Sequence, residues 1–443
     1  MLTDFSKKLG FASLLLWAAI AAVLIYGDRV QTSVEYFSLE NESISPYTEQ
    51  MTFEFNRSVD KDEMEKTFSI IPNVELELSW VGKKMVASFK EPLVEGKAYT
   101  VQLGDYENTF TTREKELFYI DSSSETRQIL SYKLASAEVK PVTPEDLLIT
   151  DYQITEDGNT IVFFGTPKEK VEEGDDYSLF PNLYSIDLET SEVTQLSPDE
   201  ENSLNMYFKL SPDGETILLN RLNLAEDGAP EGTEFLISEH GKKFKLFWKQ
   251  GLTGLTQDTI DFTADSQFIV AHDWNRFKIL PVKEDAYPEQ DLGNYAEILG
   301  FTDSRNRLLF LKWKDDNLFA PSNELVVFDE NGGKEIMLEN LGVIDEVEMN
   351  KNGGFSVLTL EEINSSDTGV YLFQTETQSL KRLDENNLLF ETNLDLSLDE
   401  EWLSFESQFD VTEEGGGELW IMNILTGEKL MLTRDGRLPK WRP

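Results

Sequence analysis

Two histidines and no cysteine stand among 443 residues, and this narrows the available chemistry at once. His240 falls in "SEHGKKF", an expected hairpin turn. His272 falls in "VAHDWN", at an expected strand end. Lone histidines so placed serve structure or face water more readily than they catalyse. The lack of cysteine removes disulfides, thiolate metal sites, thiol nucleophiles and the acylated cysteine of a bacterial lipoprotein. No H-E-x-x-H, G-x-S-x-G or phosphate-cradling glycine motif occurs. What remains is carboxylate chemistry: 83 Asp and Glu stand against 39 Lys and Arg, a formal net charge of -44. Carboxylates can cleave glycosides in pairs, ligate calcium, or attract a cationic partner. No spacing selects a glycosidase pair, and no loop has the EF-hand pattern. "DENGGKE" from Asp329 reads more simply as a hairpin turn. No cofactor is therefore expected, and calcium stays a secondary candidate. So negative a field repels phosphate backbones, so nucleic acid is not an expected partner.

The acids gather with aromatics in particular segments. Glu172, Glu173, Asp175 and Asp176 neighbour Tyr177 and Phe180; Asp315 and Asp316 neighbour Phe319; Glu413 and Glu414 follow Phe409. Acids beside aromatic anchors would make a binding rim for a basic partner. The competing reading folds the aromatics inward and leaves the acids solvated. Both readings depend on the elements that hold these segments.

Those elements repeat, and a repeat sets the architecture. The clearest unit is "FKLSPDGETILLNR" from Phe208: an apolar strand, a turn at Ser211-Pro212-Asp213-Gly214, and a second strand. Related stretches begin at Tyr152, Ile260, Ile298, Val347 and Leu394, about six copies in all. Each Asp/Asn/Gly cluster supplies the backbone of a tight hairpin. A second hairpin follows each copy, as in "LYSIDLETSEVTQLS" from Leu183 and "VYLFQTETQSLKRLD" from Val370. One second hairpin, "LFYIDSSSETRQIL" from Leu117, has no first hairpin before it. The chain ends on "ELWIMNILTGEKLMLTRDGRLPKWRP". This predicts two strands joined at Thr426-Gly427, a turn at Arg434-Asp435-Gly436, and a last strand "RLPKWRP". That strand would be the missing inner strand of the unit beginning at Leu117. Repeated four-stranded units in a ring form a β-propeller, here closed by strands from both ends of the repeat region. Closure protects an edge. Seven blades are favoured, with six or eight also compatible, since the composite unit may have three strands.

The repeat resembles the TolB-like propeller family, whose blades carry "SPDG…I.F.S" followed by "LY..D..TG....LT". "SPDGETILLN" and "LWIMNILTGEKLMLT" match best, and the resemblance spans 116–443. In such a blade the connections between second and third strands lie on one face. Here these are long: 165–182, 223–233, 312–323, 361–369 and 406–417. Long loops on a rigid scaffold commonly carry function. The resemblance extends to propellers attached to prolyl-oligopeptidase-type peptidases, but it transfers no catalytic residue.

Upstream, Met51, Phe53 and Phe55 alternate with polar residues, as do Val74, Leu76, Leu78 and Trp80, and then Tyr99, Val101 and Leu103. Period-2 alternation means strands with one buried face. Pro46, Gly82 and Gly96 mark turns, and Asp60 can cap a helical turn. Several short strands in so few residues predict a β-sandwich. "MTFEFNRSVD", "FSIIP" and "PLVEGKAYTVQL" resemble the bacterial Ig-like domain of S-layer and surface proteins, which implies a stalk or spacer.

Finally, "KKLGFASLLLWAAIAAVLIYGDR" places Lys7 and Lys8 before an uncharged run from Leu9 to Gly27. At about 1.5 Å per residue the run spans roughly 28 Å, close to a bilayer core. The preceding charge predicts a cytoplasmic N-terminus and an extracytoplasmic remainder. A cleaved signal peptide is the rival, with Ala19-Ile20-Ala21 as its small residues. The expected organisation is all-β beyond that helix: 1–30 cytoplasmic tip and transmembrane anchor, 31–115 Ig-like β-sandwich, 116–443 propeller. The expected function is a non-catalytic binding scaffold that docks a protein or peptide at the cell envelope. The alternatives are a surface component binding wall polysaccharide or cations, and a propeller-based hydrolase. Oligomeric state is not set by the sequence.

Overall fold

A computed structural model describes residues 15–18, 20–21, 32–40, 42–122, 127–171, 181–197, 202–239, 241, 243–248, 260–263, 266, 268–273, 276–282, 297–302, 307–313, 322–328, 334–339, 341–350, 353–362, 368–383, 390–408 and 417–443. The chain divides into two compact units, Met1–Arg113 and Glu114–Pro443. Residues 15–18, 20 and 21 are helical, with Leu15, Leu16 and Trp17 exposed. Among the described residues no helix is long and apolar enough to cross a membrane. Most of the expected anchor lies outside the described residues.

The first unit is a two-sheet sandwich. One sheet orders its strands Val34–Phe37, Gln50–Phe55, Lys84–Phe89 and Leu76–Val81; the other orders Ser43–Ile44, Tyr106–Thr112, Ala98–Leu103 and Phe68–Ile71. The alternating apolar positions turn inward: Met51, Phe53 and Phe55 meet Tyr99, Val101, Leu103 and Phe110 in one core. Phe37 stacks on Phe53 with ring centroids 4.6 Å apart. Asp60 caps the helix Lys61–Thr67 by accepting from the Glu63 amide at 3.2 Å, which satisfies one of the unpaired donors at a helix start.

The second unit is built from antiparallel sheets of consecutive strands. Four-stranded sheets run from Leu147–Ile154 to Val193–Gln195, from Ser203–Leu210 to Lys245–Trp248, from Glu297–Thr302 to Lys334–Leu338, and from Gly342–Met349 to Ser379–Arg382. Between the second and third of these lies a sheet with three described strands, Ile260–Phe262, Phe268–Asp273 and Arg276–Pro281. The strand Lys429–Trp441 joins two sheets. Its first part pairs with Gly417–Asn423, and its last part pairs with Glu116–Asp121. Beyond that lie Ile129–Lys133 and Glu138–Pro141, so the composite unit has four strands rather than three. The turn expected at Arg434-Asp435-Gly436 is instead a bend inside this one strand, marked by register shifts on either pairing.

The inner strands close a cycle. Residues 436–441 lie beside 147–154, then follow 203–210, 260–262, 297–302, 342–349 and 390–396, which returns to 436–441. Sheets arranged radially in this way form a β-propeller. Where a sheet buries both faces, its second strand can read as an apolar run rather than an alternation, as Thr160–Pro167 does. In "TIVFFGTP", Ile161 and Phe163 pack toward Phe118 and Ile129 of the composite sheet, while Val162 and Phe164 pack toward Phe208 and Leu219 of the next. Phe164 meets Phe208 edge-on at 4.9 Å.

The first hairpin turns bond to one another around one face. Arg442 Nε donates to Gly158 O at 2.7 Å. The Asp213 amide donates to Ser266 Oγ at 3.0 Å. Asn350 Nδ2 donates to Glu400 Oε2 at 3.0 Å, and Lys115 pairs with Asp399. Gly214 belongs to this belt. Its φ is +71°, and a Cβ there would lie 2.9 Å from Thr155 Cγ2. A left-handed non-glycine residue costs about 1–2 kcal/mol before any clash. Gly214→Ala is therefore expected to lower stability by at least that much. A urea midpoint unchanged from wild type would refute the point.

Candidate functional site

The turn belt occupies one face, so the connections between second and third strands emerge on the other. The sequence-predicted rim residues belong to those connections. Glu172, Glu173, Asp175, Asp176, Tyr177, Phe180, Asp315, Asp316, Phe319, Phe409, Glu413 and Glu414 all lie outside the described residues, as do His240 and Asp329. His272 lies on Phe268–Asp273, where it pairs with Phe277. One expected loop is corrected. The stretch 223–233 is mostly strand: Asn223 pairs with Gly232 and Leu224 with Pro230, leaving a tight turn closed by the Ala229 carbonyl accepting from Ala225. The second strand extends to Leu224 through the alternation Leu222, Asn223, Leu224, and Gly228 at φ +80° allows a compact reversal. Glu226, Asp227 and Glu231 are exposed on this projecting hairpin, as is Glu361 on the same face.

A second polar region lines the axis. The inner strands whose side chains are described each carry one polar residue two positions before the turn begins: Gln153, Lys209, Glu348, Asp395 and Lys440. Nearly every inner strand also shifts register at the same place, at Ile149/Asp151, Asn205/Tyr207, Ile298/Gly300, Ile344/Val347, Thr392/Asp395 and Arg437/Lys440. A bulge leaves backbone groups without ladder partners, and buried groups need partners. Side chains, mostly from the adjacent blade, supply partners to the inner strands at and beside these bulges. Gln153 Oε1 accepts from the Leu210 amide at 2.8 Å, and its Nε2 donates to Phe208 O at 3.1 Å. Glu346 accepts from the Asn393 and Leu394 amides, both at 2.9 Å. Glu406 accepts from the Leu438 amide and from Asn393 Nδ2, both at 2.6 Å. Asp395 accepts from the Trp441 amide at 2.5 Å and from Lys440 Nζ at 3.1 Å. Tyr152 Oη donates to Leu438 O at 2.7 Å.

Tyr152 and Glu406 are buried, while Glu346, Glu348, Asp395 and Lys440 keep partial contact with solvent, and desolvation is the largest influence on the shifted groups. Burial pushes Glu348 up to about 8, with the Asp395 charge adding and Lys440 opposing. Burial pushes Asp151 up to about 6, against the Tyr152 amide, Lys209 and Lys440. Asp395 and Glu346 are also raised by burial, despite the partners that favour their ionised forms. Burial disfavours the Lys440 ammonium, but Asp395, Glu348 and Glu346 outweigh it and hold the amine protonated. Tyr152 is driven well above its ordinary range by burial, then by Asp395, Asp151 and Glu406. Chemically, the axis holds Lys440 paired with Asp395 and Lys209 near Asp151, beside carboxyls whose protonation burial favours. Among the described residues no group of three or more His, Asp or Glu is placed to hold a metal ion.

The ring of radial sheets with a polar axis defines the chain as a β-propeller protein. Comparison with known proteins agrees on the fold. A model of the dipeptidyl peptidase IV (DPP IV) N-terminal region matches residues 83–225. A prolyl endopeptidase structure aligns at TM-score 0.51 and 13% identity, over 84% of this chain and 50% of that one. This chain thus spans half the length of that enzyme. TolB from Acinetobacter baumannii aligns at TM-score 0.44 and 11% identity, over 87% of this chain and 86% of that one. The β-propeller domain of the Trilobed protease from Pyrococcus furiosus aligns at 0.47 and 16%, over 81% and 96%. No curated protein sequence matches the chain. At 13% identity the prolyl endopeptidase likeness speaks for the fold alone.

Proposed function

We propose that this protein is a non-catalytic docking scaffold of the cell envelope. In this reading it is anchored by its N-terminal helix, spaced by an Ig-like sandwich, and carries a propeller of seven blades. The long connections of the propeller capture a basic protein or peptide. One observation carries the reading: the two faces of the ring differ. One face is knitted by turn-to-turn bonds. The other projects an acidic hairpin with Glu226, Asp227 and Glu231 exposed, and in this reading the acidic segments singled out in the sequence extend it. A rigid scaffold with one irregular face commonly binds through that face, and a net charge of -44 favours a cationic partner. The apolar run Leu9–Gly27 behind Lys7 and Lys8 supports the anchor.

The test is crosslinking capture from native envelopes with residues 31–443, alongside a version with 165–182, 312–323 and 406–417 shortened. A single partner held by the intact protein is expected, with capture falling at least tenfold when the loops are trimmed and weakening steeply with salt. Equal capture by both versions would end the loop-face reading. Turnover of a glycoside or peptide panel would replace it with a hydrolase.

A further inference from the structure

The sandwich leaves one edge strand unguarded. An edge strand presents a row of unpaired amides and carbonyls, and folded proteins blunt such edges with bulges, prolines, inward charges or brevity. Among the described edges of this unit, Val34–Phe37 carries a register shift, Ser43–Ile44 has two residues, and Phe68–Ile71 runs straight into Pro72. Leu76–Val81 has six residues, contains no proline and pairs with Lys84–Phe89 without a shift. Its core-facing residues Leu76, Leu78 and Trp80 are apolar and only half-buried, while Glu77, Ser79 and Val81 are exposed.

The phase of the free backbone groups follows from the hairpin. The Lys90 amide donates to the Glu75 carbonyl at 3.2 Å, and Val81 stands opposite Lys84 beside the Gly82-Lys83 turn. Hydrogen-bonded pairs alternate along an antiparallel ladder, so Glu75, Glu77, Ser79 and Val81 commit their backbone groups to the neighbouring strand. Leu76, Leu78 and Trp80 turn theirs outward. These outward residues are self-complementary. Set antiparallel against a second copy, Leu78 faces Leu78 and Leu76 faces Trp80, and the half-buried apolar side chains cover one another. The charges agree with this register. Glu75 of each copy comes beside the Gly82-Lys83 turn of the other, where Lys83 is exposed. Within one copy Glu75 has Lys90 at 4.0 Å, with both side chains well exposed, so that contact is weak. The two Glu77 carboxylates lie diagonally, about 7–8 Å apart, and stay in water. Trp80 is already in place: its indole N–H donates to Glu65 Oε1 at 2.7 Å, Lys61 Nζ sits 5.6 Å over its ring, and Phe55 stacks on it at 5.8 Å. Little ordering therefore remains to be done on association.

We propose that two copies of this chain join through Leu76–Val81, paired antiparallel about a two-fold axis at Leu78, so that their two four-stranded sheets run on as one. Such a contact is isologous: the same strand serves both partners, and the set closes at a dimer. One strand pair is small for a specific interface, so the dimer is a dissociable one. It uses no part of the propeller, and it stands whether or not the propeller docks a partner.

The full chain carrying Leu78→Cys, the sole thiol in a cysteine-free sequence, tests this when oxidised mildly and run on a non-reducing gel. Residues opposite each other in such a pair have Cα atoms about 5.5 Å apart, within disulfide range, so a covalent dimer is expected. Tyr36→Cys, on the other edge of the same sheet, is the control. Tyr36 is 54% exposed, so random collision would trap it at least as readily, and no comparable dimer is expected there. Adding Lys83→Glu to Leu78→Cys sets carboxylates together at both symmetric contacts and should lower trapping about fivefold. Adding Glu75→Lys as well should restore it. The unmodified full chain should sediment as a pair, and Leu78→Lys, with its circular-dichroism melt unchanged, as a single chain. Equal trapping in the two cysteine variants would overturn the proposal. So would no recovery on exchanging the charges, or a wild-type mass of one chain.

Discussion

Deleting residues 436–443 is expected to abolish cooperative unfolding of the Glu114–Pro443 unit while leaving the sandwich transition in place. The segment provides the inner strand of the composite sheet. Trp441, 5% exposed, packs with Leu117, Tyr119, Leu419 and Ile421, and removing a buried aromatic of that size costs about 3–5 kcal/mol. Arg442 is the partner of Glu116, whose side chain is 9% exposed. Leaving such a carboxylate unpaired costs on the order of 3–5 kcal/mol more. Asp395 and Glu406 lose their backbone donors at the same time. Together these losses rival the whole stability of a folded domain, about 5–15 kcal/mol. Urea titration followed by tryptophan fluorescence checks this. A truncated chain with a single sharp transition near the wild-type midpoint would show that the strand does not close the fold.

The second large effect is expected from Lys440→Met, and it depends on pH. At pH 8 the substitution leaves Asp395, 16% exposed, without its ammonium. The Lys440 side chain is 40% exposed, so the cost is discounted from the fully buried case to about 2 kcal/mol. The sign with pH follows from both partners. The folded Lys440 is held above its usual range, so its contribution is complete at neutral pH and is lost only in strong alkali. Asp395 is already pushed up by burial, and without Lys440 it protonates more readily still. The cost of the variant should therefore shrink below about 1 kcal/mol by pH 5. Denaturant midpoints of both proteins at pH 5 and pH 8 measure the difference. Equal costs at the two values would show that Lys440 acts through its hydrocarbon stem, not its charge.

The local signals were legible because they are local. The Ser-Pro-Asp-Gly turn needs a residue that tolerates positive φ at its last position, and Gly214 has it. The period-2 alternation of Met51, Phe53 and Phe55 follows from one buried face, and these residues form the sandwich core. Asp60 capped its helix as its residue type predicts. The unpaired second hairpin at Leu117 called for a missing inner strand, and the end of the chain supplied it. The 223–233 stretch misled because its Gly, Pro and acidic residues look like loop composition. Cross-strand pairing from Asn220↔Phe235 outward simply continues through it.

The inner ring left only a faint trace. Aligning the repeats on their turns places Gln153, Lys209, Glu348, Asp395 and Lys440 in one column. Without a ring to join them, that column reads as ordinary exposed positions. By itself, the sequence determined the strands, their turns, the repeat and the closing strand, because hydrophobic period and backbone conformation act over a few residues. Only the tertiary structure decided that one lysine from the last strand would face carboxylates from the first, fifth and sixth inner strands of the cycle that follows it. Their protonation is set by desolvation and by charges brought close across nearly 300 residues of chain, and no local pattern encodes that distance.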